Sequence, residues 1–237
     1  MLIAGFPAAA FGTNCYVIAP AAGEHCVVVD PGVEVVAQLD AVLAEHRLQP
    51  VAVLLTHGHI DHTFSVTPVC GARDIPAYIH PDDNGLLADP MSGISPETRT
   101  MFGGRLEWTE PDDVRPLADG EVLRLAGLAV TVDHAPGHTR GSVAFRLPYD
   151  SDEKVPEVML SGDLLFAGSI GRTDLPGGDH PTMLRSLAAK VLTLRDEVVV
   201  LPGHGEQTTI GRERVTNPFL QGLGAGTRGA AAPGRGL

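Results

Sequence analysis

Cysteine is scarce in this chain of 237 residues: Cys15, Cys26 and Cys70 are odd in number and show no Cys-x-x-Cys spacing. A disulfide framework and a thiolate metal site are therefore not expected, and all three read as small buried hydrophobes. Positive charge is short too. Seventeen Lys and Arg, of which only Lys154 and Lys190 are lysine, stand against 29 Asp and Glu, a formal net charge of −12. That balance repels nucleic acid and anionic membrane surfaces, so neither is an expected partner. Lysine shortage beside abundant alanine and glycine points to a GC-rich coding genome. No apolar run approaches the roughly 20 residues of a membrane span. The first 20 residues contain Ala8-Ala9-Ala10, but no Lys or Arg precedes the apolar part, and Pro7, Gly12 and Asn14 interrupt it. They read as an edge strand and a hairpin rather than an export signal, and a cytoplasmic location is expected.

What the chain does have is alternation of short β-prone and helical runs. Strands are predicted at residues 14–19, 26–29, 51–55, 77–79, 141–147, 158–160 and 198–201, with a hairpin or two consecutive strands over 122–132 around Gly127. Helices are predicted over 33–46, after Asp30-Pro31-Gly32, and over 181–194, where Pro181 opens the helix. Residues 81–110, with scattered Pro, Gly and Asp, read as short helices and loops over one end of the fold. Residues 1–221 are expected to form one domain, and 222–237, of Gly, Ala, Pro and Arg, a flexible tail with little to bury.

The densest chemistry lies in Thr56-His57-Gly58-His59-Ile60-Asp61-His62, directly after the apolar run 51–55. Imidazole nitrogen and carboxylate oxygen are the donors that borderline divalent ions accept at about 2.0–2.2 Å. The plainer alternative is a solvated loop rich in histidine. Three further apolar runs favour the metal cradle. Residues 128–132 precede Asp133-His134-Ala135-Pro136-Gly137-His138, 158–160 precede Ser161-Gly162-Asp163, and 198–201 precede Pro202-Gly203-His204. Each run delivers a ligand-type residue just past its end. Together His57, His59, Asp61, His62, His138, Asp163 and His204 suffice for two metals that share one carboxylate and one water.

With these residues the chain resembles the metallo-β-lactamase fold superfamily and its His-x-His-x-Asp-His motif. The stretches 136–142, 169–178 (Ser-Ile-Gly-Arg-Thr-Asp-Leu-Pro-Gly-Gly), 201–211 and 217–220 look like the single-domain bacterial type II glyoxalase-like (hydroxyacylglutathione hydrolase-like) hydrolases, over about residues 1–221. The resemblance implies an α+β fold, a four-layered αβ/βα sandwich of two mixed sheets flanked by helices. It places His57, His59 and His138 on a first metal, and Asp61, His62 and His204 on a second, with Asp163 bridging. Two divalent ions are implied, zinc foremost, although iron and manganese accept the same donors.

A water shared by two such ions is acidified toward hydroxide near neutral pH, and one ion can polarise an acyl carbonyl. The resemblance points to a small-molecule thioester, an S-lactoyl derivative of a low-molecular-weight thiol, cleaved to D-lactate and free thiol. Asp61 and Asp163 are the catalytic carboxylates, chiefly as ligands, with Asp61 also placed to orient the water. Two-domain glyoxalase II enzymes bind glutathione partly through a C-terminal helical domain, and this chain runs out soon after Leu220, so the thiol that carries the acyl group is left open between glutathione and, for a GC-rich actinobacterial source, another thiol such as mycothiol. Asp30 is the leading candidate to orient a ligand imidazole, the alternative being a turn or capping aspartate. Thr56 and Thr139 read as local backbone hydrogen-bonders, and His80 and His134 as structural. Arg172 and Asp174 read as an ion pair shaping the pocket. Two other readings stand beside the hydrolase: a persulfide dioxygenase with one iron on His57, His138 and Asp163, and a metal-binding module without catalysis. Oligomeric state is left open.

Overall fold

The computed structural model describes residues 1–95, 99–100, 108–150 and 152–223. Strands β1 (Leu2–Pro7), β2 (Asn14–Ala19), β3 (His25–Val29), β4 (Gln49–Leu54), β5 (Ala77–Ile79) and β6 (Val114–Pro116) lie side by side in chain order in one sheet. Strands β7 (Val122–Leu125), β8 (Leu128–His134), β9 (Val143–Pro148), β10 (Glu157–Gly162), β11 (Val199–Pro202) and β12 (Thr208–Thr209) form the second. Both sheets are mixed. β1 to β3 pair antiparallel and β3 to β6 parallel, whereas in the second sheet β10 and β11 pair parallel and the other described neighbours antiparallel.

Period-two alternation explains how the sheets stack. Tyr16 and Ile18 of β2, Val27 and Val29 of β3, and Ala52 and Leu54 of β4 meet Val143 and Phe145 of β9 and Val158 and Leu160 of β10 in one cluster between the sheets. Their neighbours Val17, Cys26, Val28 and Val53 face outward onto Leu39 and Leu43 of helix Val36–His46 and onto Val66, Val69 and Cys70 of helix Val66–Gly71. On the far side Ala144, Met159 and Val200 face Met183, Leu187, Val191 and Ile210. Strands covered on both faces read as near-continuous apolar runs, and each fully buried Val or Leu contributes about 1.5–3 kcal/mol. The result is the expected four-layered αβ/βα sandwich. Cys15, Cys26 and Cys70 are free and buried, and burial pushes the Cys26 and Cys70 thiols up to about 12.

Several boundaries differ from the sequence reading for local reasons. The first helix begins at Val36 rather than at 33, because Glu34 adopts a left-handed φ of 56°. The helix expected over 181–194 begins at His180, where Asp179 caps the Thr182 N–H, stays regular to Ser186 and widens to π spacing over Leu187–Val191. Strands β6 and β12 and helix Ile210–Thr216 were not anticipated. Of the irregular stretch 81–110, residues 96–98 and 101–107 lie outside the described residues; the rest includes helix Asn84–Ala88 and the tight turns Pro81–Asp83 and Pro90–Gly93. Of the expected tail, 224–237 lie outside them, and Leu223 packs against the outer cluster of the second sheet. No helix among the described residues is long and apolar enough to cross a membrane.

Candidate metal centre

The ends of β4, β8, β10 and β11 meet at one edge of the sandwich. Backbone bonds across the sheets lock that edge: Val143 N–H donates to Thr56 O at 2.8 Å and Asn14 N–H to Gly203 O at 2.7 Å. His57 follows β4, and His59 caps the short helix Ile60–Thr63 that carries Asp61 and His62. His138 comes from the loop after β8, Asp163 follows β10, and His204 follows β11.

The seven predicted donors come together in two groups. His57, His59 and His138 form one, with His59 Nδ1 2.8 Å and His57 Nε2 3.2 Å from His138 Nε2. Asp61, His62 and His204 form the other, with His62 Nε2 and His204 Nε2 3.2 Å apart and Asp61 Oδ2 3.2 Å from His204 Nε2. Asp163 stands between them: its Oδ1 is 3.3 Å from His62 Nε2, and its Oδ2 is 3.5 Å from His138 Nε2 and 3.7 Å from His204 Nε2. Asp163 Oδ1 is buried without a hydrogen-bond partner among the described residues. Nitrogens converging this closely suit a shared cation, since ligands in a tetrahedral zinc site stand about 3.4 Å apart. The donor set therefore fits two divalent ions.

Electrostatics separate the two groups. Burial, reinforced by neighbouring imidazoles, holds His57 well below its ordinary value and His59 at about 3, so both stay neutral. Burial pulls His62 the same way, but Asp61, Asp163 and Asp30 outweigh it and raise it. His204 is likewise raised against burial, by Asp61 and Asp163. Burial pushes Asp61 and Asp163 up, yet the surrounding histidines hold both below the usual carboxylate range.

Hydrogen bonds orient the rings from behind, as metal-binding imidazoles require. Asp30, 2% exposed, reaches His62 Nδ1 at 3.0 Å and accepts from Thr56 N–H at 2.8 Å and Thr56 Oγ1 at 2.6 Å. Thr56 Oγ1, its proton given to Asp30, faces His57 Nδ1 at 3.1 Å, so Thr56 couples the His57 imidazole to a carboxylate rather than bonding only its local backbone. His138 Nδ1 lies 2.7 Å from Arg172 O. Arg172 thus touches the centre through its backbone, while its guanidinium pairs with Asp174 by two bonds of 2.7 Å at the exposed rim. Thr13 Oγ1 donates to Asp61 at 3.1 Å. Sequence reasoning missed Thr13, which is brought in by the β1–β2 turn, and Asp83, which lies in the irregular segment.

His80, Asp82 and His134 form a further group of potential donors. There the imidazoles stack face to face, centroids 3.9 Å apart and 8° between planes, so their lone pairs lie in two near-parallel planes and are not aimed at one point. A cavity of about 440 Å³ opens over the centre, with Phe11, Ile60, Ile94, Phe166, Ile170 and Leu175 as its apolar walls. A larger cleft of about 490 Å³ beside Tyr16 and Tyr149 contains none of the seven donors.

The Metallo-beta-lactamase superfamily profile matches residues 8–204. The chain belongs to that superfamily. An uncharacterized protein of Mycobacterium leprae is 50% identical over 94% of this chain and 100% of its own length. The hydroxyacylglutathione hydrolase GloC of Haemophilus influenzae is 34% identical, covering 90% of this chain and 95% of itself. Among solved structures, the BLEG-1 B3 metallo-beta-lactamase superposes with a TM-score of 0.78 at 36% identity, over 93% of this chain and 100% of that one. TTHA1623 in a di-iron-bound form superposes with a TM-score of 0.73 at 40% identity, over 92% and 100%. The chain is thus a member of a metallo-hydrolase superfamily whose His and Asp donors are gathered at one edge.

Proposed function

We propose that the protein hydrolyses thioesters, acting on an S-lactoyl or related 2-hydroxyacyl derivative of a low-molecular-weight thiol to give D-lactate and the free thiol. The observation that carries the reading is the pair of three-donor groups facing one another across Asp163 on the floor of the apolar-walled cavity. His57, His59 and His138 would hold one divalent ion and Asp61, His62 and His204 the other, with zinc foremost and iron or manganese accepted by the same donors. When bound, such ions supply an acidified water and polarise the acyl carbonyl.

The protein's own groups supply the rest. Asp61, tethered by Thr13, offers an acceptor that orients a water at the cavity floor. The apolar walls keep bulk water from the acyl group. A thiolate leaves with a conjugate pKa of about 8.5, so it needs little proton donation. That suits a cavity whose titratable lining groups are His59, Asp61, His138, Asp163, His204 and the paired Arg172. The name of the Haemophilus influenzae relative points the same way.

The test is to count metals in the purified protein and follow thiol release from S-lactoyl thioesters of several thiols, glutathione included. Two metals per chain and turnover of at least one thioester are expected, falling by orders of magnitude in His59→Ala or Asp163→Ala. Activity near wild type in either variant would remove the assigned site. One iron per chain with oxygen uptake on a persulfide, or faster opening of a β-lactam reporter than of any thioester, would replace the assigned reaction.

A further inference from the structure

Asp83 is a buried carboxylate, 1% exposed, whose partners are hydrogen-bond donors from both loops that carry the first group. Its Oδ2 accepts from Gly58 N–H at 2.9 Å and from Thr139 Oγ1 at 2.6 Å, and its Oδ1 accepts from Gly141 N–H at 2.7 Å. Gly58 lies between His57 and His59, and Thr139 follows His138. One side chain therefore grips the neighbours of all three donors of the first group, two of them arriving from the first sheet and one from the second.

The surroundings are built for that grip. Asp83 closes the tight turn after β5, its N–H bonded to His80 O at 3.0 Å, and β5 lies beside β4, which delivers His57. A Cβ at position 141 would stand 2.7 Å from Asp83 Cγ and 2.8 Å from its backbone N, so the carboxylate reaches the second loop because residue 141 is glycine. Thr139 spends its hydroxyl proton on Asp83, so the 2.7 Å contact between Thr139 Oγ1 and Ser142 Oγ is donated by Ser142. Ser142 Oγ in turn accepts the Thr139 N–H at 3.1 Å. A buried charge that receives three donors is compensated, and removing an acceptor would leave donors unsatisfied.

We propose that Asp83 is a positioning residue for the first metal group, acting through backbone and Thr139 and touching no metal donor itself. It has the role for His57, His59 and His138 that Asp30 has for His62, although Asp30 contacts its imidazole directly. All three partners of Asp83 are donors, so asparagine is not equivalent: its amide nitrogen would face an N–H or a hydroxyl proton. Outer partners of this kind are worth about 10- to 100-fold in metal affinity. The proposal rests on the reading that these histidines hold a metal, and its test separates the two.

Zinc affinity is measured by chelator competition in two backgrounds. His204→Ala keeps the first group whole, and His59→Ala keeps the second. Adding Asp83→Asn is expected to weaken zinc about 10- to 100-fold in the His204→Ala chain and less than about twofold in the His59→Ala chain. A general loosening of the fold would weaken both alike, and equal loss in both, or none in either, overturns the proposal. If Asp83→Asn fails to fold by circular dichroism, Thr139→Val in the same backgrounds carries the comparison, with Thr139→Ser restoring the affinity. A His204→Ala chain that takes up no zinc with Asp83 intact would instead overturn the metal reading, and the proposal with it.

Discussion

Asp30 and His62 are joined side chain to side chain at 3.0 Å in a region closed to solvent, and the same carboxylate receives both the N–H and the hydroxyl of Thr56. One residue past β3 thereby fixes a ring that follows β4, with Thr56 carrying the link on to His57. Asp30 has φ 49°, a left-handed backbone that Asn tolerates better than Ala. Asp30→Asn is therefore the cleaner probe. It is expected to fold, to lose about 1–3 kcal/mol because a donor now faces a donor, and to bind zinc about 10- to 100-fold more weakly. Chemical denaturation and chelator competition measure the two effects, and zinc affinity equal to wild type would remove Asp30 from this role.

The two metal groups should answer pH differently. In the metal-free chain His62 and His204 are raised, so their stabilisation is complete below about pH 6.5 and fades as pH rises through their folded values. His57 and His59 are lowered, so theirs is complete above about pH 6.5 and is lost as pH falls. The combined contribution of these four histidines to the stability of the metal-free protein should thus be greatest near pH 6.5. Zinc displaces protons from His62 and His204, so it should raise the melting temperature more at pH 8 than at pH 6. A zinc-induced gain no larger at pH 8 would contradict the protonated second group.

How much of this was legible follows from the kind of signal each residue leaves. The seven donors were readable because each sits in or just after an apolar run, and strands covered on both faces advertise themselves as such runs. Asp30 was readable as the acidic residue ending one of them. Asp83 was not, because its partners are mainly backbone N–H groups, which leave no pattern in a sequence, and because it lies in a stretch without periodicity. Strand β6 is three residues held by pairing with β5, and Arg115 and Pro116 in it carry no apolar alternation. The rim pair Arg172–Asp174 was foreseen, whereas the use of Arg172 O to orient His138 depends on loop path alone.

Gly203 illustrates a requirement for space. A Cβ there would lie 2.4 Å from Asp163 Oδ1 and 2.7 Å from His62 Cε1. Gly203→Ala must push the shared carboxylate or the imidazole aside, and misplacement of about 1 Å costs on the order of 100-fold in rate. Thioester hydrolysis should fall by that order. Gly71→Ala, at a position with open space on helix Val66–Gly71, should retain wild-type activity and serves as the control. Comparable activity in the two variants would show that the close approach is not needed.

Asn217 ties the cavity wall to the core. Its amide, fully buried, donates to Ser169 O at 3.0 Å and to Glu213 Oε2 at 2.9 Å, and Glu213 also accepts from Gly168 N–H at 2.7 Å and Thr208 Oγ1 at 2.6 Å. The loop so anchored carries Phe166, Ser169 and Ile170 into the cavity. Asn217→Ala leaves a carbonyl and a carboxylate oxygen short of donors, at a cost of about 1–3 kcal/mol. None of the seven candidate donors hydrogen-bonds to this network, and its nearest link to them is the edge contact of the Phe166 ring with His204, centroids 6.0 Å apart, so zinc stoichiometry should be unchanged. The wall that would hold the substrate is loosened instead, and KM should rise several-fold with kcat less affected. Steady-state kinetics on the preferred thioester decides it: a fall in kcat with KM unchanged would mean that the loop serves the chemistry rather than the binding.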